Sequence, residues 1–134
     1  MQRTKRIAVT LLSVFALEVA ILALPALAGS FSWTCQFSHR CVSRTWNTPR
    51  TGAHKITKTN ADCPGDGNEM RVRLVKERTF GDLFYAWKLW DCGTTDQLRQ
   101  WSTTETGDFH FDIEKNDTTD TSWAWTAYGN TVYP

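Results

Sequence analysis

Residues 31–37 alternate strictly: Phe31, Trp33, Cys35 and Phe37 are apolar, and Ser32, Thr34 and Gln36 are polar. A period of two puts one set of side chains on a buried face and the other in water, which predicts a β-strand. The same alternation sets Met70, Val72 and Leu74 against Arg71 and Arg73, and Phe109, Phe111 and Ile113 against His110, Asp112 and Glu114. Trp123, Trp125 and Ala127 alternate with Ser122, Ala124 and Thr126, and a last short strand is expected over 130–133, after Gly129. Residues 83–90, LFYAWKLW, are apolar on both faces except Lys88, the pattern of a strand covered on both sides. A weaker strand is expected over 54–59. Turn-forming Pro, Gly, Asn and Asp separate these runs at 48–52, 63–68, 80–82, 106–108 and 116–120. With no amphipathic helix between them, the runs predict an all-β fold, an antiparallel β-sandwich of about six to seven strands. A closed Greek-key barrel is the alternative.

The first 28 residues read differently. Arg3, Lys5 and Arg6 precede a stretch from Ile7 to Leu24 that is apolar except for Thr10, Ser13 and Glu18, and Pro25-Ala26-Leu27-Ala28 closes it. A basic start, an apolar run and small residues at the end are the marks of a secretory signal cleaved after Ala28. A membrane anchor is the rival reading, but Glu18 would be costly in mid-bilayer. The expected product is one secreted domain, Gly29–Pro134, with no membrane attachment after cleavage.

Composition then narrows the core. The mature part carries seven Trp, six Phe and three Tyr, but only ten Leu, Ile and Val, and its 17 Thr suit strands. Tryptophan must therefore fill space that aliphatics fill elsewhere. Twelve basic and thirteen acidic side chains nearly cancel, which argues against a nucleic-acid partner. They are unevenly placed. Gly29 to Ala61 holds Arg40, Arg44, Arg50, Lys55 and Lys58 with no acid, whereas Asp91 to Pro134 holds eight acids and two bases. Cross-strand pairing of the two ends is the simpler expectation; a bipolar surface that steers a partner is the other.

Four cysteines, Cys35, Cys41, Cys63 and Cys92, lie in the exported part, and an even count there predicts two disulfides. Of three connectivities, Cys35–Cys41 with Cys63–Cys92 is expected, because the first two are close in sequence and the second two bracket the central strands. Chain-entropy arithmetic assigns about 3.6 kcal/mol to the longer loop and about 2 kcal/mol to the shorter. Four thiolates on zinc would need closer pairs than this chain offers.

Little in the sequence points to catalysis. There is no Gly-x-Ser-x-Gly and no cysteine expected to be free. His110 shares a strand face with Asp112, and Asp112 with Glu114, at about 7 Å by strand geometry. That separation is permissive for paired-carboxylate chemistry, but any alternating acidic strand would satisfy it. Asp62, Asp66, Asn68 and Glu69 crowd oxygen side chains into a Gly-rich turn without the spacing of a calcium loop. Asn116-Asp117-Thr118 is formally a glycosylation acceptor. No catalytic residue, cofactor or metal is therefore expected. Trp46 and Trp101 sit in polar, loop-like stretches, where an exposed indole would anchor a protein or a sugar. Packing beneath Arg44 or Arg99 is the plainer outcome. Phe31, Trp33, Arg44, Trp46 and Trp101 are the candidate partner-binding residues.

Several segments resemble small secreted actinobacterial proteins: Phe31-Ser32-Trp33, Ser43-Arg44-Thr45-Trp46, Cys63 followed by Met70-Arg71-Val72-Arg73-Leu74, then Cys92, and Gly107-Asp108-Phe109-His110-Phe111-Asp112-Ile113. The resemblance implies a β-sandwich with a 63–92 disulfide and brings no enzyme signature; the Cys35–Cys41 pair is an addition to that pattern. The function expected is a non-catalytic secreted binding module, an accessory or adaptor of a secreted, toxin-type complex, with an extracellular protein as partner. Its N-terminal strand is a candidate edge for partner binding. A carbohydrate ligand is the other partner class. The alternative function is an enzyme inhibitor or small antimicrobial protein that acts alone.

Overall fold

The computed structural model describes residues 28–63, 68–116 and 123–134. The proposed signal (residues 1–27), the centre of the oxygen-rich turn and most of the glycosylation acceptor lie outside them. Ten strands are formed: β1 (Gly29–Phe37), β2 (Arg40–Val42), β3 (Trp46–Thr48), β4 (Gly52–Asp62), β5 (Glu69–Lys76), β6 (Leu83–Phe84), β7 (Lys88–Asp91), β8 (Gln97–Thr103), β9 (Gly107–Lys115) and β10 (Trp125–Tyr133). One sheet has the order β1-β10-β4-β8. In the other, β9 and β5 are central; β2 and β3 share the free side of β9, and β6 and β7 share the free side of β5. All pairings are antiparallel. The fold is thus the expected antiparallel sandwich, with Cys35 joined to Cys41 and Cys63 to Cys92.

The core between the sheets is aromatic. Trp33, Trp46, Trp90, Trp101, Trp125, Phe109 and Phe111 are all buried. Trp33 stacks on Trp90 with centroids 6.0 Å apart and planes 12° apart, and Trp46 packs on Phe111 at 5.0 Å. Each such ring removes about 150–250 Å² from water, so a few indoles do the work of many leucines.

Strand boundaries differ from the sequence expectation in three places. Residues 83–90 are not one strand covered on both faces. They break at Tyr85–Trp87 into β6 and β7 and lie on a sheet edge, with Phe84 and Leu89 exposed. Trp90 and Tyr85 pack in or on the core, whereas the rings of Phe84 and Trp87 serve the outer face: the Arg73 guanidinium lies 4.1 Å from the Phe84 ring and 4.4 Å from the Trp87 ring, and Arg71 lies 4.5 Å from Trp87.

The two C-terminal runs join into β10, and Gly129 is inside it rather than a stop. A Cβ there would collide with the Thr57 carbonyl and the Trp33 indole. Glycine is required because the carbonyl and the indole together leave no room for a side chain. Finally, β8 and the three-residue β2 and β3 are additional strands. β8 is polar apart from Leu98 and Trp101, so its alternation is weak.

Charge distribution follows the pairing expectation. Asp112 on β9 binds Arg40 from β2 at 2.6 Å and Arg73 from β5 at 2.9 Å, and Glu114 binds Arg71 at 2.7 Å. Of these pairs only Arg40–Asp112 joins the basic N-terminal stretch to the acidic C-terminal one; Arg71 and Arg73 belong to the balanced middle segment. Lys58 is buried whole, and its ammonium donates to the carbonyls of Asp91 and Thr94, pinning the turn beside the Cys63–Cys92 bridge.

Candidate functional site

A sandwich has four sheet edges, and each presents unpaired backbone groups unless something covers them. Here the edges meet in two pairs. On one side β8 faces β6 and β7. Trp101 Nε1 donates to the Ala86 carbonyl at 2.9 Å and Arg99 Nε to the Leu89 carbonyl at 2.7 Å. Lys88 Nζ donates to the Gln100 carbonyl, and the Asp91 amide donates to Gln97 Oε1. Side chains thus occupy edge groups there, and two cations guard them.

The other side is built differently. β1 is nine residues long, pairs with β10 along its whole length and carries no charged residue. Among the described residues no strand pairs with its outer side. Across from it run β2, the bulge Ser43–Thr45 and β3. The bulge arises because Ser43 feeds its hydroxyl into the β9 ladder: the Ser43 amide donates to the Phe111 carbonyl, and the Phe111 amide donates to Ser43 Oγ at 2.8 Å. Thr45 is tied outward by its hydroxyl, which donates to Glu77 Oε1 at 2.7 Å. Arg44, between them, turns to β1, and its guanidinium rests 4.1 Å from the centroid of Phe31.

A groove of about 250 Å³ lies between these two edges, lined by Phe31, Trp33, Cys35, Val42, Ser43 and Arg44. The Cys35–Cys41 disulfide closes one end, where β1 turns through Ser38 and His39 into β2. Phe31 forms part of the floor, half-buried against Trp46 at 5.5 Å and Tyr133 at 6.3 Å. Val42 is 50% exposed at the rim.

Of the five candidate partner-binding residues, the structure brings Phe31 and Arg44 to the surface of this groove; Trp33 borders it but is 7% accessible and belongs to the core against Trp90. Trp46 and Trp101 are not exposed anchors: they are 4% and 6% accessible. Trp46 lies beneath the groove among Phe31, Phe109 and Phe111, and Trp101 faces Phe111 from β8 under the Lys88 ammonium. Both fill core volume in a chain short of aliphatics, and their polar neighbours in sequence are the outward positions of β3 and β8. Phe80, read only as part of a turn, is fully exposed at the tip of the β5–β6 connection.

The acidic face of β9 is organised as an ion network. His110 Nδ1 lies 2.8 Å from Glu77 Oε1, and its Nε2 lies 3.5 Å from Asp112 Oδ1. The hydrogen bond to Asp112, opposed by burial and helped by Glu77, raises the imidazole above its ordinary value. Burial works to raise the Asp112 carboxyl, but hydrogen bonds from His110, Arg40 and Arg73 outweigh it and hold the group well below the usual carboxylate range. Paired-carboxylate hydrolysis needs one carboxyl kept protonated. Asp112 is held the opposite way, and Arg71 occupies Glu114.

No family model and no curated protein matches this sequence. The fold is similar to that of the Yersinia pseudotuberculosis-derived mitogen, whose crystal structure superposes with a TM-score of 0.51 at 11% identity, covering 80% of this chain and 86% of that one. At that identity the likeness concerns the sandwich alone.

Proposed function

We propose that this chain is an exported, non-catalytic binding module that captures an extended segment of a protein partner along β1, as an accessory or adaptor of a secreted complex. One observation carries the reading: the two open sides of the sandwich are treated unequally. The β8 side is closed by Lys88, Arg99 and Trp101, as proteins do to prevent strand addition. The β1 side has a long, uncharged edge above a groove. Strand addition would supply main-chain hydrogen bonds for affinity, and the groove would read alternate side chains. Two disulfides and the signal-like first 28 residues support an oxidising, extracellular setting.

The test is affinity capture from culture supernatant with two baits, the native chain and a Ser32→Glu/Thr34→Glu variant. Both side chains are exposed, so the variant should fold while its edge carries charge. A protein retained by the native bait and lost from the variant supports the reading. Equal retention by both baits, or retention of nothing, refutes it.

A further inference from the structure

Arg44 differs from the other arginines around it. Arg40, Arg71, Arg73 and Arg78 each hold a carboxylate at 2.6–2.9 Å. Arg99 is occupied by the carbonyls of Leu89 and Leu98. Among the described residues no carboxylate lies within ion-pair reach of Arg44; its guanidinium rests on the Phe31 ring at the mouth of the groove. No acid occurs in the sequence from Gly29 to Ala61, and the carboxylate beside Thr45, Glu77, is engaged by Thr45 and His110. The bonds that hold Ser43 to β9 and Thr45 to Glu77 fix the backbone on either side. A guanidinium stacked and anchored in this way gives up little freedom when it binds a planar anion, and its fork matches a carboxylate.

The groove also sets where an inward side chain would fall. A strand added to β1 would run about 4.8 Å from it, with alternate side chains directed inward. One of those side chains would pass over Arg44 at the mouth of the groove, whereas Val42, paired with Asp112 and separated from Arg44 by the bulge, borders the groove at its outer rim. Building on the edge-capture reading above, we infer that the groove selects an extended segment with a carboxylate side chain opposite Arg44. The partner's recognised strand is therefore acidic at one inward position, complementary to the acid-free N-terminal third of this domain.

The probe is an alternating threonine/valine heptapeptide, capped at both ends, with either glutamate or glutamine at its central inward position. Valines flank that position two residues away on both sides, so the two peptides are symmetric in strand direction and differ only at the central residue. Amide chemical shifts of the ¹⁵N-labelled native chain, Arg44→Gln and Arg44→Lys are followed as peptide is added up to millimolar concentration. The glutamate peptide should bind the native chain about fivefold to tenfold more tightly than the glutamine peptide at low salt. The preference should shrink at high salt, vanish in Arg44→Gln and survive in part in Arg44→Lys. Both peptides should shift the β1 amides. Equal affinity of the two peptides, with β1 shifted, overturns carboxylate selection and leaves edge capture standing. A glutamate preference that persists in Arg44→Gln overturns the role of Arg44. Failure of both peptides to move any β1 amide overturns edge capture itself. Shifts of β1 that grow with protein concentration alone make a second copy the occupant and overturn the inference.

Discussion

Acidification should destabilise this chain through one side chain, His54. It lies on β4 with no exposed surface, 4.2 Å from the Phe109 ring and 5.8 Å from the Trp46 ring. Among the described residues neither ring nitrogen has a hydrogen-bond partner. Burial pushes the imidazole from 6.5 down to about 4. In the unfolded chain the group takes its proton near 6.5, so below that pH the unfolded state binds a proton that the folded state refuses. The stability tied to neutral His54 is complete above 6.5 and is lost as the pH falls toward 4; the full loss is about 3 kcal/mol. A domain of this size holds about 5–15 kcal/mol in total. His110 has the opposite sign. Its raised value makes its contribution complete below 6.5 and lost as the pH rises through the folded value, so it does not weaken the fold in acid. Asp112, held low, stays ionised through this window and yields only in stronger acid. Guanidinium unfolding followed by tryptophan fluorescence, disulfides intact, at about pH 7.5, 5.5 and 4, measures the slope. The native chain should lose about 3 kcal/mol more than His54→Leu over that range, and the variant should match or exceed it at the highest pH, having shed two unpartnered nitrogens. Parallel slopes, or an NMR titration of His54 near 6.5, would refute the reasoning.

Gly129→Ala should cost about 2–4 kcal/mol in denaturant unfolding, because a methyl group meets both the Thr57 carbonyl and the Trp33 ring and neither can retreat freely. Replacing Cys63 and Cys92 together by serine should cost about 3.6 kcal/mol, against about 2 kcal/mol for the Cys35 and Cys41 pair, read as the two shifts in melting temperature. Asp112→Asn leaves Arg40, Arg73 and His110 around a neutral amide and should cost about 3 kcal/mol; a double-mutant cycle with Arg73→Met should return much of it.

Fold class was legible because strands buried on one face must alternate. β1 and β5 do so over their central residues; β9 alternates in residue type too, although His110, Asp112 and Glu114 on its second face are buried in the ion network. The run at 83–90 misled for a physical reason: Phe84 and Trp87 are apolar but cover the guanidiniums of Arg71 and Arg73, so hydrophobicity there marks an outer face rather than a core. Gly129 misled likewise, since a glycine inside a strand looks like a turn until the tryptophan lying on it is seen. For the site, Phe31 and Arg44 could be named from sequence, and β1 could be expected at an edge. What sequence could not supply was the contrast between the two edges. It depends on Lys88, Arg99 and Trp101 reaching carbonyls on neighbouring strands 10–15 residues away. Nor could it show that Arg40 is paired and Arg44 is not, because that follows from which residues β9 sets beside β2 and beside the Ser43 bulge.

The most direct measurement is hydrogen exchange of the backbone amides of Gly29–Phe37, free and with the captured partner bound. In the free protein, amides bonded to β10 should be protected, and the alternate amides, which point away from it, should exchange quickly. Partner binding should slow those outward amides selectively while β8 stays unchanged. Protection that appears elsewhere, with the outward amides of β1 still exchanging freely, would contradict the account.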